Sequence, residues 1–181
     1  SYAQSASSLG GSDAGNYTLT AFTTPTNNYA VGQLALTGTA IAASSSNYGS
    51  PLNPGAVSFG NVVGADVVTG TVSVNTTTLS SSGNPVVGSY TQTASAIGGT
   101  DAGNYSFAGF TSASNYSITP LALTGTAIAP GSSVYAAALT PGAVSFGNVV
   151  GADVVTGTAS VNTTTLSSSG NPIVGSYTQT A

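Results

Sequence analysis

The sequence contains no cysteine, methionine, tryptophan, lysine, arginine or histidine. Glutamate is absent too, and the four acidic residues are Asp13, Asp66, Asp101 and Asp153. Each absence removes a class of chemistry. Without cysteine there is no disulfide framework and no thiolate nucleophile. Without lysine or arginine nothing can neutralise phosphates, the main source of nucleic-acid affinity, or attach to anionic lipid headgroups. A lysine–asparagine isopeptide cross-link is excluded for the same reason. Serine and threonine abound, but a hydroxyl nucleophile needs a base beside it, and no triad can be assembled without His, Lys, Glu or Cys. Carboxylate-pair catalysis needs two carboxyls held roughly 5–10 Å apart with separated pKa values, and each repeat defined below has two aspartates in all. No apolar run approaches the roughly 18 residues of a membrane helix. The sequence therefore leads us to expect no enzyme activity, no cofactor, no metal, no nucleic-acid partner and no membrane insertion.

What is present points to folding all the same. Charged residues make up 2% of the chain, against about 25% in ordinary domains. Disorder goes with low hydrophobicity and high net charge. Here hydrophobic residues reach 40%, and they are spread evenly among Ser, Thr, Gly and Asn. The expectation is a folded protein with a hydroxyl-coated surface.

Internal repetition organises the chain. Residues 54–71 read PGAVSFGNVVGADVVTGT, and residues 141–158 read the same. SVNTTTLSSSGNP occurs at 73–85 and again at 160–172. Asp66 and Asp153 thus stand 87 positions apart. GGSDAGNYT at 10–18 corresponds to GGTDAGNYS at 98–106, with an offset of 88. The extra residue falls in TTPTNNY against TSASNY, ahead of Tyr29 and Tyr116, where a length change marks a surface loop. SYAQSA at 1–6 and SYTQTA at 89–94 and 176–181 are three copies of one element. We read the chain as a window on a longer array. Residues 1–32 are the C-terminal strands of a preceding repeat, 33–119 one complete repeat domain, and 120–181 the N-terminal strands of the following one.

The patterning has period two. LALTGTAIA, AVSFGNV, TGTVSVNT and SYTQTASAI alternate large and small residues, as half-buried strands do. Val, Ile, Thr, Tyr and Phe suit a pleated surface, and Gly-Asn, Asn-Pro, Pro-Gly and Asp-Ala-Gly-Asn clusters fall between the runs at turn positions. The strands read from the pattern are 34–42, 55–60, 66–77, 86–97, 104–110 and 115–119. The fold class expected is all-β, as tandem Ig-like β-sandwich repeats of about 87 residues, with a β-solenoid as the alternative.

The stretches NYGSPLNPGAVSFGNVVGADVVTGT and VYAAALTPGAVSFGNVVGADVVTGT, with DAGNYT, DAGNYS and NYSITPLALT, resemble the MBG-type (YGX type) repeats of large bacterial surface adhesins. Two departures stand out: Tyr135-Ala136 where that pattern has Tyr-Gly, and no linker lysine. The resemblance implies a secreted, cell-surface location and an extended adhesin stalk or fibre. Its partners would be other copies of itself or neighbouring repeats, with host or surface glycans met through other domains.

The candidate sites are modest. Asp13 and Asp101 read as Asx-turns ahead of a strand, and Asp66 and Asp153 as caps of a tight turn. A calcium site needs 6–8 oxygens with several carboxylates, and the Asp-Ala-Gly-Asn motif occurs only once per repeat. Five Asn-x-Ser/Thr sequons, at Asn16, Asn75, Asn104, Asn115 and Asn162, could accept glycan in a secretory route. Gln92 and Gln179, in the repeated SYTQT, admit a side-chain ester with a threonine, although no assisting acid or histidine stands near them. The aromatic residues are expected in the core. Edge strands usually carry lysine or inward charge against unwanted pairing, and this chain has almost none. Two roles follow: repeats that associate by strand addition, or a passive spacer for a distal tip. A carbohydrate-binding module is a third, lacking an evident aromatic platform.

Overall fold

A computed structural model describes residues 1–181, with the side chain of residue 39 excepted. Strands account for 32% of the chain, and helix is confined to single 3-10 turns at Ala14–Asn16 and Ala102–Asn104. The protein is all-β.

In chain order the strands are β1 (Ser5–Ala6), β2 (Phe22–Thr23), β3 (Leu34–Ala35), β4 (Gly38–Ile41), β5 (Ser44–Asn47), β6 (Val57–Phe59), β7 (Thr69–Val74) and β8 (Gly88–Tyr90). They continue as β9 (Gln92–Gly98), β10 (Tyr105–Ser106), β11 (Phe110–Thr111), β12 (Tyr116–Thr119), β13 (Gly125–Ile128), β14 (Val144–Phe146), β15 (Ser160–Val161) and β16 (Gln179–Thr180). They form small sheets: β1-β2, β10-β3, β4-β6, β13-β14 and β15-β16 as pairs, and β11-β9-β7 and β5-β12-β8 as triplets. The pairs β10-β3 and β12-β5 are parallel, whereas β12-β8 is antiparallel.

The chain divides into two compact units. One comprises Ser1–Ala40, Val57–Thr71 and Ala94–Phe110, and the other Ile41–Ala56, Val72–Thr93 and Thr111–Ala181. In the first, Leu36, Ala94 and Tyr105 are buried, and Phe107 meets Phe59 and Phe110 edge-on with ring centroids 5.3 and 6.2 Å away. Gly38 is required here, because a Cβ on it would lie 2.1 Å from the Phe110 ring. In the second, Ile41, Tyr116, Ile118 and Gln92 are buried.

The long strands read from the alternation are interrupted, in two places by a side chain that takes over a ladder position. Stretch 34–42 splits into β3 and β4 because the Asn61 amide intervenes: Thr37 N–H donates to Asn61 Oδ1 at 2.9 Å, and Asn61 Nδ2 donates to Ala35 O at 2.8 Å. Stretch 55–60 shortens to β6, since Gly55 N–H goes to Gln92 instead of a strand. Stretch 66–77 reduces to β7, 86–97 to β8 and β9, and 115–119 to β12. Stretch 104–110 breaks at Gly109, which has a positive φ of 77°. One strand, β5, was not expected at all. Its sequence, Ser-Ser-Ser-Asn, carries no alternation, and it forms because β12 supplies a parallel partner along its length.

Candidate functional site

One polar cluster involves residues from two successive repeats. Val150 to Asp153 form a turn closed by Asp153 N–H on Val150 O at 3.1 Å, with Gly151 at φ 51°. The Asp153 carboxylate then accepts twice. Tyr48 donates its hydroxyl to Oδ2, and Ser82 donates its backbone N–H to Oδ1 at 3.0 Å. The Tyr48 hydroxyl also lies 2.5 Å from Ser80 Oγ, Ser80 Oγ lies 3.0 Å from Ser82 Oγ, and Asn84 Nδ2 donates to Ser82 Oγ at 2.9 Å. Hydrogen bonds to an ionised acceptor are the strong ones. The Tyr48 bond, with help from Ser82 and Ser80, holds the Asp153 carboxyl below its ordinary value against some desolvation. Gly49 (φ 79°) gives the turn its seat: a Cβ there would stand 2.8 Å from Val150 Cγ2.

The same hydroxyl cluster recurs 87 residues on. The Tyr135 hydroxyl lies 3.0 Å from Ser167 Oγ and 3.2 Å from Ser169 Oγ, and these serines lower the phenol pKa. No carboxylate joins it among the described residues. Ala136 replaces the seat glycine and keeps the left-handed backbone, at φ 65°.

Asp66 and Asp101 also act at long range. Asp66 closes the turn from Val63 through its backbone N–H at 3.0 Å, while its carboxylate accepts the Tyr105 hydroxyl at 2.5 Å. That bond is the main cause raising the Tyr105 pKa above 10.0, and a Val63 N–H on the phenol oxygen at 3.0 Å opposes it. Asp13 and Asp101 precede the two 3-10 turns, yet neither side chain caps its turn. Each opens its turn through its backbone carbonyl, which accepts Asn16 N–H and Asn104 N–H respectively, both at 3.0 Å. Asp101 instead accepts Val67 N–H at 2.8 Å from a distant loop, and Asp13 accepts the Ser12 hydroxyl at 3.2 Å.

Gln92 is fully buried and uses its whole amide. Oε1 accepts Gly55 N–H at 2.7 Å, while Nε2 donates to Ala42 O at 3.1 Å and to Asn115 Oδ1 at 2.9 Å. No threonine hydroxyl is among these partners, so the residue holds strands together by hydrogen bonds and is not placed for an ester. Gln179 repeats two of the bonds, to Gly142 N–H at 2.7 Å and Ala129 O at 3.2 Å.

The sequons separate by geometry. Asn75 spends Nδ2 on Thr91 and Thr93 Oγ1 at 2.7 and 2.8 Å, and Asn162 on Thr178 and Thr180 at 3.0 and 2.7 Å. Asn115 is half-buried and donates to Ile41 O at 2.7 Å. A glycan on any of these nitrogens would break such bonds. Asn16 and Asn104, each ending a 3-10 turn, are exposed with side-chain amides that meet no protein partner among the described residues.

Among the described residues, no group of three or more His, Cys, Asp or Glu comes together to hold a metal, and no helix is long and apolar enough to cross a membrane. The sequence reading missed Tyr48, Ser80 and Ser82. Their only signal was recurrence as Tyr135, Ser167 and Ser169. No protein-family model, no curated protein and no solved structure matches the chain.

Proposed function

We propose that this chain is a non-catalytic structural segment of an extracellular bacterial fibre or adhesin. In this reading its Ig-like β-repeats of about 87 residues associate through strand contacts, as the MBG-type resemblance implies. The observation that carries the reading is the Asp153 turn seated on Tyr48, Ser80 and Ser82. A carboxylate of one repeat is spent on bonds to the repeat before it, where a binding or catalytic carboxylate would face an open cleft. A hydroxyl-rich surface with 2% charge offers no electrostatic barrier to such contacts. The test is electron microscopy of the native material at its source. Regular fibres whose periodic unit is this repeat support the reading. Thin strands ending in a separate tip domain, with no lateral or end-to-end contact between repeats, would make the chain a passive spacer.

A further inference from the structure

The sequons differ in what a sugar on their nitrogen would displace. An asparagine amide carries two N–H donors, and a glycan replaces one of them. Asn75 and Asn162 each commit Nδ2 to two threonine hydroxyls. At Asn115, Nδ2 donates to Ile41 O, and Oδ1 accepts both Gln92 Nε2 and the Ser112 hydroxyl. A sugar at any of these three costs hydrogen bonds, and at Asn115 it also needs room beside the buried Tyr116.

Asn104, in the complete repeat, keeps its amide free. It ends the turn Ala102–Asn104, where its backbone N–H donates to Asp101 O at 3.0 Å. Its side chain stands in solvent with no partner among the described residues. The space around the turn is open: a Cβ built on Gly103 would meet no atom within 4 Å. The third residue of the sequon, Ser106, is exposed too. Its backbone carbonyl accepts Leu36 N–H at 2.8 Å, which fixes the strand, and its hydroxyl makes no hydrogen bond among the described residues.

The same geometry recurs 88 residues earlier. Asn16 ends the turn Ala14–Asn16, and its N–H reaches Asp13 O at 3.0 Å. Asn16 and Thr18 are exposed, and a Cβ on Gly15 would meet nothing within 4 Å. These two sequons are thus built alike, one per repeat, at a place where the fold asks nothing of the amide.

We propose that Asn104 and its counterpart Asn16 are N-glycosylation sites, giving one asparagine-linked sugar per repeat, and that Asn75, Asn115 and Asn162 are left bare. The donor class is a phosphate-activated sugar. Asn Nδ2 bonds to the anomeric carbon, and the bond from that carbon to the donor's phosphate oxygen breaks. The phosphate leaves with the electron pair, and one amide proton passes to a base of the transferase. The product amide retains one N–H, and at Asn104 no contact has been lost. Each sugar adds neutral, hydrated bulk to a surface with 2% charge, where charge ordinarily supplies solubility. The assignment is independent of the strand contacts proposed above.

The chain has no lysine or arginine, so trypsin cannot map it. Cleavage ahead of aspartate separates 13–65 with Asn16, 66–100 with Asn75 and 101–152 with Asn104 and Asn115, and Asn162 follows Asp153. Mass spectrometry of native material, with fragmentation to resolve Asn104 from Asn115, reads each site. The expected occupancy at Asn104 and Asn16 is about tenfold or more that of the other three, since losing one or two hydrogen bonds disfavours the folded, modified form by about that factor. A single sugar marks a nucleotide-linked donor and a preassembled oligosaccharide a lipid-linked one; either supports the assignment. The folded, unmodified chain, incubated with a soluble sequon-directed transferase and a nucleotide-linked hexose, should show the same preference. Asn104→Gln and Ser106→Ala should each abolish the sugar at that site and leave the melting temperature unchanged. Asn75→Gln should leave Asn104 modified and lower the melting temperature. Native material bare at Asn104, or sugar spread evenly over all the sequons, overturns the proposal. So does a folded chain on which the transferase prefers Asn75, Asn115 or Asn162.

Discussion

Gln92 shows how much structural work one polar residue does here. A buried amide whose partners are removed leaves each of them desolvated and unpaired, at about 1–3 kcal/mol apiece. Gln92→Ala strands Gly55 N–H and Ala42 O together, while Asn115 Oδ1 keeps the Ser112 hydroxyl, so we expect a loss of about 2 kcal/mol or more in a urea titration. Gln179→Ala, at a half-buried position with two such partners, should cost clearly less. Equal losses would contradict the assigned role. Ala136 makes a second test. Its φ of 65° is unfavourable for any residue with a Cβ by roughly 1–2 kcal/mol, so Ala136→Gly should raise stability by about 1 kcal/mol once the greater freedom of unfolded glycine is offset. An unchanged or lower melting temperature would contradict that. The departure from Tyr-Gly at 135–136 was legible as a sequence irregularity, but its consequence needed the backbone angle. The polar partners of Gln92 were not legible, because alternation marks which positions turn inward and says nothing of what an inward amide will meet.

At the scale of the element, turns and strands were legible where hydrophobic alternation and Gly/Asn/Pro clusters agree, as at β6, β7 and β9. They were not legible where a strand is stabilised by its neighbour alone. Serine has little β preference of its own, and β5 exists because β12 lies beside it. The two aspartate–tyrosine contacts give this scale its pH behaviour. Asp153 has a depressed carboxyl pKa. Its contribution is therefore complete above the unfolded value of about 3.9 and fades as pH falls through the folded-state value. Tyr105 has a raised phenol pKa, chiefly from Asp66, so its contribution is complete below about pH 10 and fades as pH rises through the folded-state value. Stability should accordingly be flat from about pH 5 to pH 9, and thermal melts across that range will check it; a steep change near neutrality would contradict it. Asp66→Asn should bring the Tyr105 phenol back toward 10.0, read as a shift in the ultraviolet titration of tyrosinate. Asp153→Asn should leave that transition in place, since Asp153 meets Tyr48 and not Tyr105.

Across the whole molecule, the buried side chains all fall between Leu36 and Ile118 among the described residues, while fifteen of the twenty exposed large apolar side chains lie in 1–32 or 120–181. The core forms where all the strands of one repeat are present, and the flanking segments keep their apolar faces in solvent. Four carboxylates and no basic side chain leave little for salt to screen, so association should change little between low and high ionic strength. The repeat and the all-β class were open to inspection in the sequence, because both follow from identity at fixed spacing and from period-two patterning. The most direct test of the central claim is electron microscopy of the purified chain over a rising concentration series. Our account predicts end-to-end filaments of regular axial period that lengthen with concentration. Discrete single-chain particles at every concentration would contradict it.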